Sequence, residues 1–502
     1  MTAHDRLVGV VGTGTMGQGI AQVALVAGHP VRLYDAVPGR AESAAESIAG
    51  RLDRLVEKGR MTAQERAAAV ARLAPAEALA DLADATLVVE AVLEQLDVKQ
   101  QLFRDLEDVV ADDCLLATNT SSLSVTAIGG ALRLPGRFVG LHFFNPAPLL
   151  PLVEVVSGSA TDVTAATRAY ETARAWGKTP VACADTPGFL VNRIARPFYA
   201  EAFAVYEEQG ADPATIDAVL RESGGFRMGA FELTDLIGQD VNEAVTRSVW
   251  EGFYQDVKFR PSLAQRRLVE AGHLGRKSGR GWYAYGDGEE RPEPHTAGPC
   301  EPPARVTVEG DLESAGELIA MMREAGIEVT LESEDNGTRI VLPSGGQLAQ
   351  ADGQTSVEFR DVVYFDLALD YRAATRIALA TCQDGNPRTL SEAVGLFQAL
   401  GKKVSVIGDV PGMIVARTVA RLIDLAYDAL TRGVATQEDI DTAMRLGVNY
   451  PLGPLEWSRK LGRSWACGLL EELHERDPSG RFAPSFALLR HSYTPKKWES
   501  SE

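Results

Sequence analysis

Short apolar runs punctuate the first part of this chain at intervals that suit an open parallel sheet. Leu7-Val8-Gly9-Val10-Val11, Pro30-Val31-Arg32-Leu33-Tyr34-Asp35, Ala85-Thr86-Leu87-Val88-Val89-Glu90-Ala91 and Leu115-Leu116-Ala117 each have the length and composition of a strand buried on both faces. The first run leads directly into the helical stretch Ile20-Ala21-Gln22-Val23-Ala24. Two later runs carry an ionisable residue each: His142 in Phe138-Val139-Gly140-Leu141-His142-Phe143-Phe144-Asn145-Pro146, and Glu154 in Leu152-Val153-Glu154-Val155-Val156. Charge in a buried strand is costly unless a partner meets it. A paired His142–Glu154 is a general base with an orienting carboxylate, which favours the imidazolium formed on proton uptake. A histidine satisfied in a core is the competing reading, and the loop upstream decides between them.

That loop is Gly12-Thr13-Gly14-Thr15-Met16-Gly17, set between strand and helix. Its glycines permit a tight turn, close approach of a pyrophosphate and close helix–strand packing, with the phosphates on the helix N-terminus. The next strand ends in Asp35, placed to bond both ribose hydroxyls and repel a 2′-phosphate, which selects NAD over NADP. Arg32 and Arg40 stand close enough in sequence to soften that preference. Asn119, Ser121 and Ser122 follow an apolar run and so lie at a strand's carboxyl end, where open parallel sheets bind ligands. Turn and helix-cap chemistry is the other use of such residues, and for Ser122 it is equally good.

Composition narrows the partners. The 502 residues suffice for roughly three domains. A net charge of −19 argues against nucleic acid and against an anionic membrane surface. Five scattered cysteines show neither a paired motif nor metal-ligand spacing, which points to reduced thiols in a cytoplasmic protein and to no metal. The first strand begins too early for a signal peptide, and no apolar run is long enough to span a bilayer.

The glycine loop, Asn119-Thr120-Ser121-Ser122, His142-Phe143-Phe144-Asn145-Pro146 and Pro187-Gly188-Phe189-Leu190-Val191-Asn192-Arg193 occur in that order. Over residues 5 to about 285 the set resembles the NAD-dependent 3-hydroxyacyl-CoA dehydrogenases. The resemblance implies that His142 is the general base and Glu154 its partner. It implies that Ser121 and Asn192 bind the substrate oxygen and steady the histidine. Cofactor contacts fall on Gly12, Gly14, Thr15, Met16, Gly17, Asp35, Glu94, Lys99, Asn119 and Asn145. Lys58, at a turn between two helices, resembles the contact to the CoA moiety; a solvated surface lysine is the plain alternative. The segment Leu274–Tyr283 resembles the close of the family's helical domain.

A second copy follows a Pro/Glu/Gly-rich linker. Asp185-Thr186-Pro187-Gly188 returns as Asp409-Val410-Pro411-Gly412, 224 residues on; Gly229, Glu232 and Gly238 return as Gly453, Glu456 and Gly462. Upstream the echo is fainter, at an offset of 298. Gly12, Gly28, Val31 and Leu33 map to Gly310, Gly326, Val329 and Leu331, but Gly14, Gly17 and Asp35 map to Leu312, Ala315 and Ser333. Asn192 maps to Ala416, and no histidine lies between His295 and His474. The expected organisation is α/β. A Rossmann-type doubly wound domain (1–185) and an all-helical domain (186–285) are joined by a linker (286–303) to a degenerate nucleotide-type domain (304–408) and a second helical domain (409–499). The second copy reads as structural rather than catalytic. Because the family's helical domains commonly pair, it offers a dimer partner within one chain; a homo-oligomer stays open.

The function expected is oxidation of an (S)-3-hydroxyacyl-CoA by NAD to the 3-oxoacyl-CoA. The full length, with Gly225–Leu233 and Asn449–Trp457, resembles the 3-hydroxyadipyl-CoA dehydrogenases of phenylacetate catabolism. The alternatives are 3-hydroxybutyryl-CoA or another short thioester as substrate and, from a different class, a non-catalytic nucleotide-binding scaffold. Dehydrogenases of other β-hydroxyacids share the glycine loop but use a lysine base, against which His142 and Glu154 argue.

Overall fold

The computed structural model describes residues 6–310, 316–332 and 338–494. Leu312, Ala315 and Ser333, on which part of the degenerate reading rests, lie outside the described residues. The chain forms two compact bodies, Met1–Arg193 with Ala429–Val448, and Ile194–Asp428 with Asn449–Glu502. No helix among the described residues is long and apolar enough to cross a membrane.

The first body is built on eight strands. These are β1 (Val8–Val11), β2 (Val31–Tyr34), β3 (Leu73–Pro75), β4 (Leu87–Glu90), β5 (Leu115–Thr118), β6 (Phe138–Phe143), β7 (Leu152–Ser157) and β8 (Thr179–Ala184). Their order is β3-β2-β1-β4-β5-β6-β7-β8. All neighbours are parallel except β6 and β7. Helices α1 (Thr15–Val26), α2 (Arg40–Glu57), α3 (Ala63–Ala71), α4 (Leu96–Glu107), α5 (Val125–Gly129) and α6 (Val163–Ala175) make the crossovers and connections, and α7 (Val191–Ile194) closes the segment. The core is aliphatic: Val10, Ile20, Leu33, Ile48, Val89 and Val139 are among its fully buried members. The crossover connections run one way from β1 to β2 and β3 and the other way from β4 onward, so a ligand crevice opens at the carboxyl ends of β1 and β4.

The second body carries α8 (Arg196–Glu207), α9 (Pro213–Glu222), α10 (Ala230–Ile237), α11 (Gln239–Gly252) and α12 (Leu263–Glu270). A seven-stranded sheet follows, with β9 (Arg305–Glu309), β10 (Glu328–Glu332), β11 (Arg339–Val341), β12 (Gln347–Gln350), β13 (Val362–Phe365), β14 (Arg376–Ala380) and β15 (Lys403–Ile407) in the order β10-β9-β11-β12-β13-β14-β15. Helices α13 (Gly316–Glu324) and α14 (Pro387–Ala399) belong to it. The closing helices are α15 (Val415–Thr431), α17 (Pro454–Leu461), α18 (Trp465–Arg476) and α19 (Phe486–Tyr493), while α16 (Gln437–Gly447), between α15 and α17 in sequence, belongs to the first body. Within this body α8 and α15 are joined by buried charge: Arg417 Nε lies 3.0 Å from Glu201, and both are almost wholly excluded from solvent.

The duplication is written in the backbone. Val8 pairs with Val31 in the first sheet and Val306 with Val329 in the second, the same register at an offset of 298. Gly12 and Gly310 share a left-handed φ of 95° and 94°. From β13 onward the offset is 224: Phe189 and Met413, neither of them glycine, hold φ of 49° and 52° at equivalent turns. Among the described residues the second sheet has no counterpart of β3 or α4, while β12, parallel to β13, takes the place of β5 beside β6. Next to β9, where the first sheet has parallel β4, it has antiparallel β11.

Candidate active site

The glycine loop is shaped by what surrounds it. A Cβ on Gly12 would lie 2.5 Å from the Ala91 carbonyl oxygen, and one on Gly17 only 1.8 Å from that of Gly12. A Cβ on Gly14 would meet nothing within 4 Å. Two glycines are therefore demanded by packing, and the third leaves space open at the start of α1. Gly14 is also the N-cap and gives α1 no side-chain cap, so its first-turn N–H groups face that space. Beside it runs a cleft of about 820 Å³ whose lining includes Gly12, Gly14, Asp35, Arg40, Val92 and Leu102. Thr15 is exposed at the loop, while Met16 leans on the core. These residues suit a dinucleotide: an open anion cradle, an apolar wall and a terminal acid.

Asp35 accepts from Thr13 Oγ1 at 2.7 Å, Thr13 N at 3.0 Å and Val37 N at 3.1 Å. Burial opposes its ionisation, but these hydrogen bonds and the Arg40 charge outweigh it and hold the carboxyl below its ordinary range. Arg40 faces Asp35, whereas Arg32 acts on Asp81. Of the two arginines, Arg40 is the one in the cleft.

A buried carboxylate that sequence reasoning passed over organises the rest of the crevice. Glu90, at the end of β4, is fully buried; it takes Lys99 Nζ at 2.5 Å, Thr118 Oγ1 at 2.7 Å and Val92 N at 2.6 Å. Lys99 also reaches Glu94 at 3.2 Å. One oxygen of Glu94 then accepts from Thr120 Oγ1 at 2.5 Å, Ser121 N at 3.0 Å, and Ser122 N and Oγ at 3.2 and 3.0 Å. Burial works against the Glu94 anion, and Lys99 with these donors more than offsets it, so its carboxyl sits low. Lys99 is thus buried between two acids. The signal for Glu90 was present: it is an acid in an apolar run, as Glu154 is.

His142 and Glu154 meet. They are register partners on antiparallel β6 and β7, and Nδ1 lies 2.6 Å from Glu154 Oε2. The other oxygen of Glu154 accepts from Leu190 N at 3.2 Å and Val191 N at 2.8 Å, at the start of α7, the helix that carries Asn192. Glu154 is completely buried and His142 nearly so. The rings of Phe144 and Phe189 close around the imidazole, with centroids 4.6 and 5.9 Å away. Asn119 Oδ1 accepts from Phe143 N at 2.9 Å, which ties the end of β5 to the residue after His142. Ser121 is half-buried on the loop after β5, and Asn145 is exposed before Pro146. Lys58 caps the C-terminus of α2 and is exposed.

The second copy has replaced this chemistry. At an offset of 224, the pair His142–Glu154 becomes Asp366–Ala378, and Asp366 N donates to Ala378 O at 3.0 Å. The Asp366 carboxylate accepts from Ile414, Val415 and Ala416 N at 3.0, 2.8 and 3.0 Å. Ile414 and Val415 are the equivalents of Leu190 and Val191. A single acid at the histidine's strand position makes the helix-start contacts that Glu154 makes in the first half, and no His–Glu pair is formed there.

Three comparisons bear on the site. The model of the 3-hydroxyacyl-CoA dehydrogenase NAD-binding domain matches residues 7–186. That of the same family's C-terminal domain matches 188–285 and again 412–496. The 3-hydroxybutyryl-CoA dehydrogenase reduced Rossmann-fold domain matches 341–411. The chain is 42% identical over 500 residues to the 3-hydroxyadipyl-CoA dehydrogenase of Escherichia coli, covering 100% of each. It is 41% identical over 277 residues to a probable 3-hydroxybutyryl-CoA dehydrogenase of Deinococcus radiodurans, which spans 55% of this chain and 99% of that relative. A crystal structure of 3-hydroxybutyryl-CoA dehydrogenase from Escherichia coli superposes with a TM-score of 0.88 at 41% identity, over 97% of this chain and 98% of that one. With a dinucleotide cleft, a buried His–Glu pair in the same body and a relative matched from end to end, the chain belongs to the NAD-dependent 3-hydroxyacyl-CoA dehydrogenases.

Proposed function

We propose that this dehydrogenase acts on (S)-3-hydroxyadipyl-CoA, with His142 as base and Glu154, Ser121 and Asn192 as its supporting groups. The observation that carries the catalytic roles is the 2.6 Å contact between His142 Nδ1 and Glu154. Glu154 binds the Nδ1 hydrogen, so Nε2 holds the lone pair that takes the substrate's hydroxyl proton. NAD, when bound, supplies the hydride acceptor. As the proton arrives the imidazole becomes a cation, and the buried carboxylate stabilises it in surroundings that screen little. Ser121 and Asn192 hold the oxygen that becomes the ketone. In the reverse direction protonated His142 returns the proton.

The choice of substrate rests on the end-to-end match to the 3-hydroxyadipyl-CoA enzyme, degenerate half included. A 3-hydroxybutyryl-CoA is the second reading, favoured by the name of the full-length structural neighbour. Comparing kcat/KM for NADH formation from the two thioesters tests the choice. A preference for the butyryl compound refutes the adipyl reading, and an active His142→Gln variant refutes the base. Lys58 as a CoA contact is supported by its exposure at the end of α2, and Lys58→Ala should raise KM for CoA thioesters alone.

The second half acts as an in-chain dimer partner. Two reciprocal contacts support this: Ala184 N, at the end of β8, donates to Val434 O, while Gly408 N, just after β15, donates to Gly210 O. Each sheet is held by the other copy's helical repeat. Light scattering should therefore find an assembly that does not need a second chain for each sheet to be covered. The five free thiols suit a cytoplasmic location, testable by fractionation.

A further inference from the structure

The body that contains the dyad is not made from the first half alone. Residues Ala429–Val448, which hold α16, belong to it, and α16 lies against β7 and β8. β8 is the edge of its sheet, where outward backbone N–H groups need partners. Ala184 N finds Val434 O at 2.8 Å, and the Ala182 N–H faces the Asp439 carboxylate. The far end of α16 reaches further in. A Cβ on Gly447 would lie 2.7 Å from Leu152 Cδ2 and 3.2 Å from Val191 Cγ2. Leu152 and Val191 are buried, and neither is remote from the chemistry. Leu152 is two residues before Glu154 on β7. Val191 precedes Asn192, and its own N–H is one of the donors that fix Glu154.

The equivalent contact in the second body makes the point by contrast. Gly447 corresponds to Ser223 and Leu152 to Arg376, both at an offset of 224. There a side chain fits, and Ser223 Oγ donates to Arg376 O at 2.6 Å. Where the helix meets the catalytic copy, glycine stands instead, and any side chain there would have to displace Leu152 and Val191.

We infer that α16, contributed by the degenerate half, is a positioning element of the catalytic centre, and that Gly447 is the positioning residue that sets its distance from Val191 and Leu152. The inference rests on the His142–Glu154 reading, and it revises the expectation that the second copy serves structure alone. A side chain at 447 presses on Val191 and Leu152 together, shifting Asn192 and the Glu154 carboxylate. Displacements on the order of 1 Å at such supports cost about a hundredfold in rate.

The test uses the full-length chain with Gly447→Ala, Gly447→Val and Gly447→Val/Leu152→Ala, measuring kcat, KM and NADH binding, with His142→Gln as reference. Gly447→Val should lose about 30- to 100-fold in kcat with NADH affinity kept, Gly447→Ala should lose less, and the double variant should regain most of the loss. Wild-type kcat in an NADH-binding Gly447→Val overturns the inference; if that variant fails to bind NADH, wild-type kcat in Gly447→Ala overturns it instead. Loss without rescue by Leu152→Ala also overturns it. An active His142→Gln would instead unseat the dyad on which it rests.

Discussion

Replacing Glu154 by glutamine separates the orienting carboxylate from everything else it touches. In the wild type one oxygen binds His142 Nδ1 at 2.6 Å and the other binds the Leu190 and Val191 N–H groups. A glutamine keeps the shape. Its carbonyl oxygen is claimed by the two backbone donors, so its amide nitrogen turns to His142. Nδ1 must then accept, the proton moves to Nε2, and the imidazole faces its substrate in the tautomer that cannot act as base. The electrostatic loss adds to this. In the proposed reaction the imidazolium exists in the transition state and not before, so its interaction with the carboxylate would lower the barrier directly. Two unit charges about 4 Å apart at an effective dielectric near 20 interact by about 4 kcal/mol, and about 1.4 kcal/mol is a tenfold change in rate. With the tautomer penalty, kcat should fall by about 10³–10⁴-fold. NADH formation at saturating substrate, followed across pH, measures it, while fluorescence titration checks that NADH still binds. Adding Glu154→Gln to His142→Gln should cost nothing further. A variant within about fivefold of wild type, or an additive double variant, would sink the dyad.

Asp35→Ser should narrow the NAD over NADP preference, read as the ratio of kcat/KM values; an unchanged ratio would move selectivity elsewhere, with Arg40 the first residue to examine. Calorimetry should find one dinucleotide site per full-length chain, because antiparallel β11 occupies the flank of β9 that β4 occupies beside β1; two sites of similar affinity would overturn that. Burial pushes Asp366 from an ordinary 3.8 to about 6 in spite of its backbone donors. The folded state therefore holds its proton longer than the unfolded one, and this group's contribution declines as pH rises between those values, by up to about 3 kcal/mol. Asp366→Asn removes that slope, so the wild type should lose stability relative to the variant, read as urea midpoints, as pH rises through this window; parallel curves would refute it.

Much of the catalytic half was readable because its chemistry violates its surroundings. His142 and Glu154 stand out as ionisable residues in apolar runs, and their twelve-residue separation matches an antiparallel pair, which the register bears out. Glu90 violates the same rule but sits at the end of its run, where an acid passes for a strand terminus; only its burial beside Lys99 reveals what it does. The Glu94 carboxylate gathers a turn 26 to 28 residues away, and no periodicity encodes such a reach. Gly14 and Gly17 look alike in the motif, yet one is needed for ligand space and the other for packing, a distinction that requires the atoms around them.

The second half shows why loss of function is harder to read than its presence. Searching its sheet for a histidine finds none, which says only that no counterpart of His142 is there. The register says what replaced it: Asp366 stands where His142 stands and caps the helix that Glu154 caps in the first half. The two roles that the proposed function gives Glu154, orienting a base and holding a helix start, are separable, and only the second has a counterpart in Asp366. That survival is physically required, since the N–H groups of Ile414, Val415 and Ala416 are buried and would each cost about 1–3 kcal/mol if left unmet. The catalytic role carried no such structural penalty, so it could be lost without loss of the fold. What the half kept, it kept for packing, and through α16 part of that packing lies beneath the dyad of the other half.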